Sequence, residues 1–159
     1  MRKTVLFCAG IAALASTPAF AAGQQATGTV DVSLNVSTSC SVSAQPLSFG
    51  SVTALATAIT ASSATTVKCT PGAAYSVYVD FGKNAGAGTQ RKMKSAAGDF
   101  VNYDIYSDSS RTTAWTTTSG VTGSGTGSDQ PMTLYGSVPV QSAAPAGDYA
   151  DQVTVTVNY

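Results

Sequence analysis

The sequence predicts an all-β fold, a small sandwich of two sheets. Three observations predict it. Apolar residues recur at every second position and almost never at helical spacing. Val, Thr, Ser and Gly abound, while Glu is absent, so strong helix formers are scarce and β-branched residues common. Turn punctuation falls between the alternating runs at fairly regular spacing, a pattern of seven to nine short strands.

Met1-Arg2-Lys3 is a basic tip, an apolar run follows to Ala15, and Ala19-Phe20-Ala21 closes it. That is the layout of a secretory signal peptide, residues 1–21, cleaved after Ala21. The apolar run is shorter than the roughly 20 residues a membrane-spanning helix needs. No later segment is apolar enough to span, so the mature chain is not membrane-spanning.

The first alternating run places Val30, Val32, Leu34 and Val36 on one face and Asp31, Ser33, Asn35 and Ser37 on the other. Cys40-Ser41-Val42 begins a short strand, and residues 47–52 read as another. Residues 64–69 form a strand broken by Pro71-Gly72. Tyr75, Val77, Val79 and Phe81 alternate next, and residues 82–88 turn the chain. Residues 91–94 are a short strand whose Arg91, Lys92 and Lys94 form a solvated basic cluster. Val101, Tyr103 and Ile105 alternate before a turn at 107–111, and Trp115 packs in the core or at an edge. Residues 119–130 read as a Gly-rich surface loop. Met132, Leu134, Val138 and Val140 share a strand face, with Pro139 marking an edge or bulge. After a turn at Pro145-Ala146-Gly147, Val153, Val155, Val157 and Tyr159 close the chain on one face.

Only 10% of residues are charged, against about 25% in an ordinary domain. Eight Lys and Arg meet eight acids, and losing Arg2 and Lys3 with the leader leaves a slight acidic excess. Arg91, Lys92 and Lys94 are the only basic cluster, too small for the basic footprint that nucleic-acid binding needs. With no His and no Glu, the chain lacks the groups usually tuned for proton transfer near neutrality. Asp104 with Asp108, and Asp148 with Asp151, flank turns, where Asp ordinarily bonds the backbone. No calcium-loop spacing surrounds them, and neither a cofactor nor an enzyme activity is expected.

Cys8 leaves with the leader, so Cys40 and Cys69 remain as a pair in an oxidising compartment and are expected to form a disulfide. Two thiolates without His are a poor metal site.

The run at 30–36 can pair within its own domain, or it can leave and complete the sheet of another molecule. In the second mode main-chain hydrogen bonds hold the strand and alternate side chains fill pockets. The residues alone do not choose between the two.

Several stretches resemble archaic (Csu-type) chaperone–usher pilins, the spore coat protein U domain family. They are Val30 through Cys40, Leu47-Ser48-Phe49-Gly50, Val67-Lys68-Cys69, Tyr103-Asp104-Ile105-Tyr106-Ser107-Asp108, and Arg111 through Trp115. Leu134-Tyr135-Gly136-Ser137-Val138-Pro139 and Gly147 through Val157 complete the set, in order and over nearly the whole mature chain. The resemblance implies an incomplete immunoglobulin-like β-sandwich, completed by donor-strand exchange. After the signal peptide at 1–21 it implies a donor extension at 22–37 and a pilin-type domain at 38–159. Val30, Val32, Leu34 and Val36 would be the donor strand. Val153, Val155, Val157 and Tyr159 would edge the acceptor groove, and the family's paired cysteines match Cys40 and Cys69.

The partners so implied are identical or related pilin subunits, a periplasmic chaperone and an outer-membrane usher. The implied function is a surface fibre for adhesion and biofilm formation. A spore or cell coat built on the same fold is the alternative. A secreted monomeric carbohydrate-binding module would need aromatic platforms that are not evident.

Overall fold

The structure is a computed structural model, and it describes residues 23–142 and 144–159. The expected leader, with Cys8, lies outside the described residues. Val36–Tyr159 form one compact unit, and the described residues 23–35 lie outside it. Residues 23–39 carry no regular structure and are exposed throughout.

The described residues contain nine strands and no helix. In chain order they are β1 (Cys40–Ala44), β2 (Ile59–Cys69), β3 (Ala74–Val79), β4 (Arg91–Ser95) and β5 (Phe100–Tyr106). Then come β6 (Val121–Ser124), β7 (Gln130–Val138), β8 (Tyr149–Ala150) and β9 (Val155–Asn158). Six strands form one sheet in the order β1-β2-β7-β5-β4-β8, and three form the other in the order β6-β3-β9. Every strand pairing is antiparallel.

The alternation in sequence becomes the two faces of each sheet. Val67 of β2, Tyr75, Val77 and Val79 of β3, Val101, Tyr103 and Ile105 of β5, and Leu134 and Val138 of β7 are buried in one core. Trp115 joins them at 1% exposure, and its indole N–H donates to the Val77 carbonyl at 2.7 Å. Cys40 and Cys69 sit directly opposite on β1 and β2 and are joined by the expected disulfide.

Four expectations need correction. Residues 47–52 form no strand. Instead Leu47 and Phe49 fill the space above Gly136 of β7, where a side chain would collide with both. Phe49 also meets Tyr103 edge to face, with ring centroids 6.2 Å apart. The stretch 119–130 is not simply a loop, because β6 lies within it and pairs with β3. Its glycine is packed rather than loose: the Tyr75 ring occupies the place a Gly123 side chain would take. Val140 lies beyond the end of β7 and is exposed.

The fourth concerns Arg91, which is no solvated residue but 1% exposed. Its guanidinium donates to the carbonyls of Asp80 (2.8 Å), Val79 (3.2 Å) and Trp115 (2.6 Å) and lies 5.3 Å from the Phe81 ring centroid. A buried charge is tolerated when its donors are satisfied. Here three main-chain carbonyls accept three of its five N–H groups, so Arg91 ties β4 of one sheet to the end of β3 in the other.

Candidate functional site

β1 and β9, an edge strand of each sheet, approach one another. The inner face is open along this seam. In β1, Val42 pairs directly with Val67, so both side chains point inward. Val67 is 0% exposed, yet Val42 is 38% exposed. In β9, Val155 pairs with Val79 and Val157 with Val77. Both β3 valines are fully buried, whereas Val155 and Val157 are only half-buried. Inward-facing valines on the two edges therefore lack the cover their partners have.

The main chain is open as well. β3 is the one strand paired with β9 among the described residues. The Asp80 N–H donates to the Thr154 carbonyl at 3.0 Å, which makes those two a hydrogen-bonded pair. Antiparallel pairs alternate. Thr156 and Asn158 thus turn their main-chain groups toward β3, and Val155 and Val157 turn theirs to the free edge. A free edge is usually blunted by Lys, Pro or a bulge. After Asp151 this one carries neither Lys nor Pro.

Of the expected edge residues, Val155 and Val157 lie in β9, Val153 is half-buried just before it, and Tyr159 is 62% exposed just after it. The expected donor residues Val30, Val32, Leu34 and Val36 are 85%, 91%, 88% and 72% exposed. They form no strand. Exposed apolar side chains clustered like these commonly mark interaction surfaces.

A cleft of about 740 Å³ opens elsewhere in the core. It is lined by Leu47, Phe49, Leu55, Met93, Val101 and Tyr149 among others.

Two of the acids flanking turns, Asp108 and Asp151, bind protein groups. Asp108 accepts the Thr112 and Thr113 amides, and hydrogen bonds from Thr113 foremost hold its carboxyl down to about 2. Asp151 accepts the Tyr103 hydroxyl at 2.8 Å. That bond and, before it, burial push the Tyr103 phenol well above its ordinary range. Burial raises Asp80, but the amides of Thr154 and Gly82 outweigh it and bring its carboxyl below the usual value. Among the described residues no three acids or cysteines gather as a metal site.

A profile of the Spore Coat Protein U domain family matches residues 26–156. Protein U of Myxococcus xanthus is 31% identical over 172 residues, spanning 95% of this chain and 96% of that protein. One solved structure that matches is a pre-assembly complex of a chaperone with a tip adhesion subunit, from archaic chaperone–usher Csu pili of Acinetobacter baumannii. It superposes with a TM-score of 0.57 at 25% identity over 78% of this chain. This chain spans 40% of the length of the one it matches there.

Proposed function

We propose that this chain, which belongs to the Spore Coat Protein U domain family, is a structural subunit of an archaic chaperone–usher pilus that polymerises by donor-strand exchange. The observation that carries the proposal is the uncovered seam: Val42, Val155 and Val157 face inward beside fully buried partners, along an edge with free main-chain groups. The donor is the exposed run Val30, Val32, Leu34 and Val36 of another copy. Its four side chains match the inward row Val153, Val155, Val157 and Tyr159 in number and period. Burying them contributes roughly 1.5–3 kcal/mol each before ordering is subtracted. Main-chain hydrogen bonds along β9 add register and direction.

An edge of this kind has to be covered before assembly. A periplasmic chaperone is the proposed first cover, in keeping with the chaperone-bound subunit this chain resembles. An outer-membrane usher is the proposed site of exchange, and the product is a surface fibre serving adhesion and biofilm formation. The signal peptide at 1–21 is the proposed route into the periplasm.

Unboiled fibres should run on SDS gels as a ladder that collapses to monomer on heating. A variant lacking residues 22–36 should accept a strand but donate none, ending chains. A deletion variant that is folded, monomeric and indifferent to any added strand would overturn the proposal. A coat layer made from the same subunits is the second reading, favoured by the family's own description. Electron microscopy of the assembled product separates the two, as filaments or as sheets.

A further inference from the structure

β9 is a four-residue strand with β3 as its paired neighbour, and its side chains cannot fix its register. Val153-Thr154-Val155-Thr156-Val157 repeats with period two. A one-residue slip along β3 would turn the valines outward and is excluded by burial. A two-residue slip would keep every Val inside and every Thr outside. It would shift the open edge by about 6.8 Å, one full step of the pleat.

Polar groups break that degeneracy. Asp80 Oδ1 accepts the Thr154 N–H at 2.8 Å and the Gly82 N–H at 3.0 Å, and the Asp80 N–H donates back to the Thr154 carbonyl at 3.0 Å. One residue therefore grips both main-chain groups of Thr154. A second grip lies just upstream. The Asp151 carboxylate accepts the Tyr103 hydroxyl at 2.8 Å, the Asn84 side-chain amide at 2.9 Å and the Asn84 N–H at 3.2 Å. Asn84 Nδ2 also donates to the Ala150 carbonyl at 3.0 Å, and the Lys83 N–H donates to the Gln152 carbonyl at 3.1 Å. Gly82 leaves room for this, since the Asp151 carboxylate fills the place its side chain would take.

We infer that Asp80 and Asp151 are positioning residues for strand exchange, a clasp that sets the register of β9 while the groove is empty. The inference rests on β9 being the acceptor edge. The clasp acts at the entry of β9, so Val153, Val155, Val157 and Tyr159 stand in one fixed row before any donor arrives. An incoming strand then meets a formed template and does not have to order it.

The test uses the full chain with a labelled peptide of residues 27–37, together with amide exchange on the chain alone. Asp80→Ala should take up the peptide about tenfold more weakly or more slowly, the loss expected when hydrogen bonds to a charged group go. Asp80→Asn keeps an acceptor oxygen and should recover most of that loss. In Asp80→Ala the protection of Thr156 and Asn158 should fall while that of β2 and β7 stays. Asn84→Ala, which removes partners of Asp151, should move both readouts the same way, and it serves if Asp80→Ala does not fold. Unchanged peptide uptake in Asp80→Ala, or protection lost equally across β2 and β7, would overturn the clasp. A wild-type chain that takes no peptide would overturn the acceptor role itself, while the exchange pattern still decides whether the clasp sets β9.

Discussion

Val42 and Val67 face each other across the β1–β2 ladder, yet Val67 is sealed in the core and Val42 is 38% exposed. On the donor-strand proposal this difference marks where an incoming strand would cover β1, and it separates folding from assembly. Val67→Ala should cost roughly 2 kcal/mol of stability, as a lost transfer term plus a cavity. Val42→Ala should cost well under 1 kcal/mol in the free subunit. Urea titrations of the two variants check this, and equal losses would mean the seam is closed.

The donor side makes the complementary prediction. Val32 is 91% exposed, so Val32→Asp should leave the melting point of the free chain within a few degrees, a change of about 0.5 kcal/mol. The same variant should lose the heat-sensitive ladder, because a carboxylate would have to enter an apolar pocket. A ladder of wild-type stability would rule out Val32 as a donor residue.

Arg91 holds three carbonyls in the interior. Arg91→Ala should destabilise by roughly 3 kcal/mol or more, since each orphaned buried acceptor costs about 1–3 kcal/mol. Arg91→Lys should restore only part of this, because an ammonium lacks the planar fork that reaches all three. Denaturant melts of both variants give the comparison. A loss under 1 kcal/mol for Arg91→Ala would show that the carbonyls find other partners.

Asp108 supplies a pH prediction. Its folded carboxyl lies at about 2, below the unfolded value near 3.9. A depressed acid stabilises the fold above its unfolded pKa and loses that contribution as pH falls through the folded one. The turn at 108–113 should therefore hold above about pH 4 and loosen toward pH 2. An NMR titration of the Asp108 carboxyl should find its midpoint near 2. A midpoint near the ordinary Asp value would show that the Thr112 and Thr113 amides do not bind it in solution.

The disulfide closes the root of β1. Reducing Cys40–Cys69, or replacing both with Ala, should cost roughly 3–4 kcal/mol in the chain-entropy view of a loop of this size. The Ser39–Thr70 hydrogen bonds flank the same point, so β1 should be the first strand to lose amide protection in the reduced chain. Exchange that first appears in β2 or β7 would contradict this.

Period-two alternation made β3, β5, β7 and β9 readable, because one buried face leaves its mark on sequence; of β2 only residues 64–69 were read, and its first half, 59–63, was missed. The disulfide was readable from cysteine count and compartment. Residues 47–52 misled because Leu47 and Phe49 alternate like a strand while they pack over Gly136. β6 was hidden because its glycine signals flexibility locally and a tyrosine ring only in three dimensions. Arg91 was hidden for the same reason: its partners are carbonyls, which every residue carries and no sequence motif marks. The Asp80 and Asp151 clasp pairs positions about seventy residues apart, beyond any local pattern.

Amide exchange on the free chain and on the assembled product decides whether a strand is added at β9. In the free chain the Val155 and Val157 amides face an empty edge and should exchange quickly. In the assembled product they should become strongly protected, together with the backbone of residues 30–36. If those two amides exchange as fast after assembly as before, no strand is added at β9, and the subunits are joined in some other way.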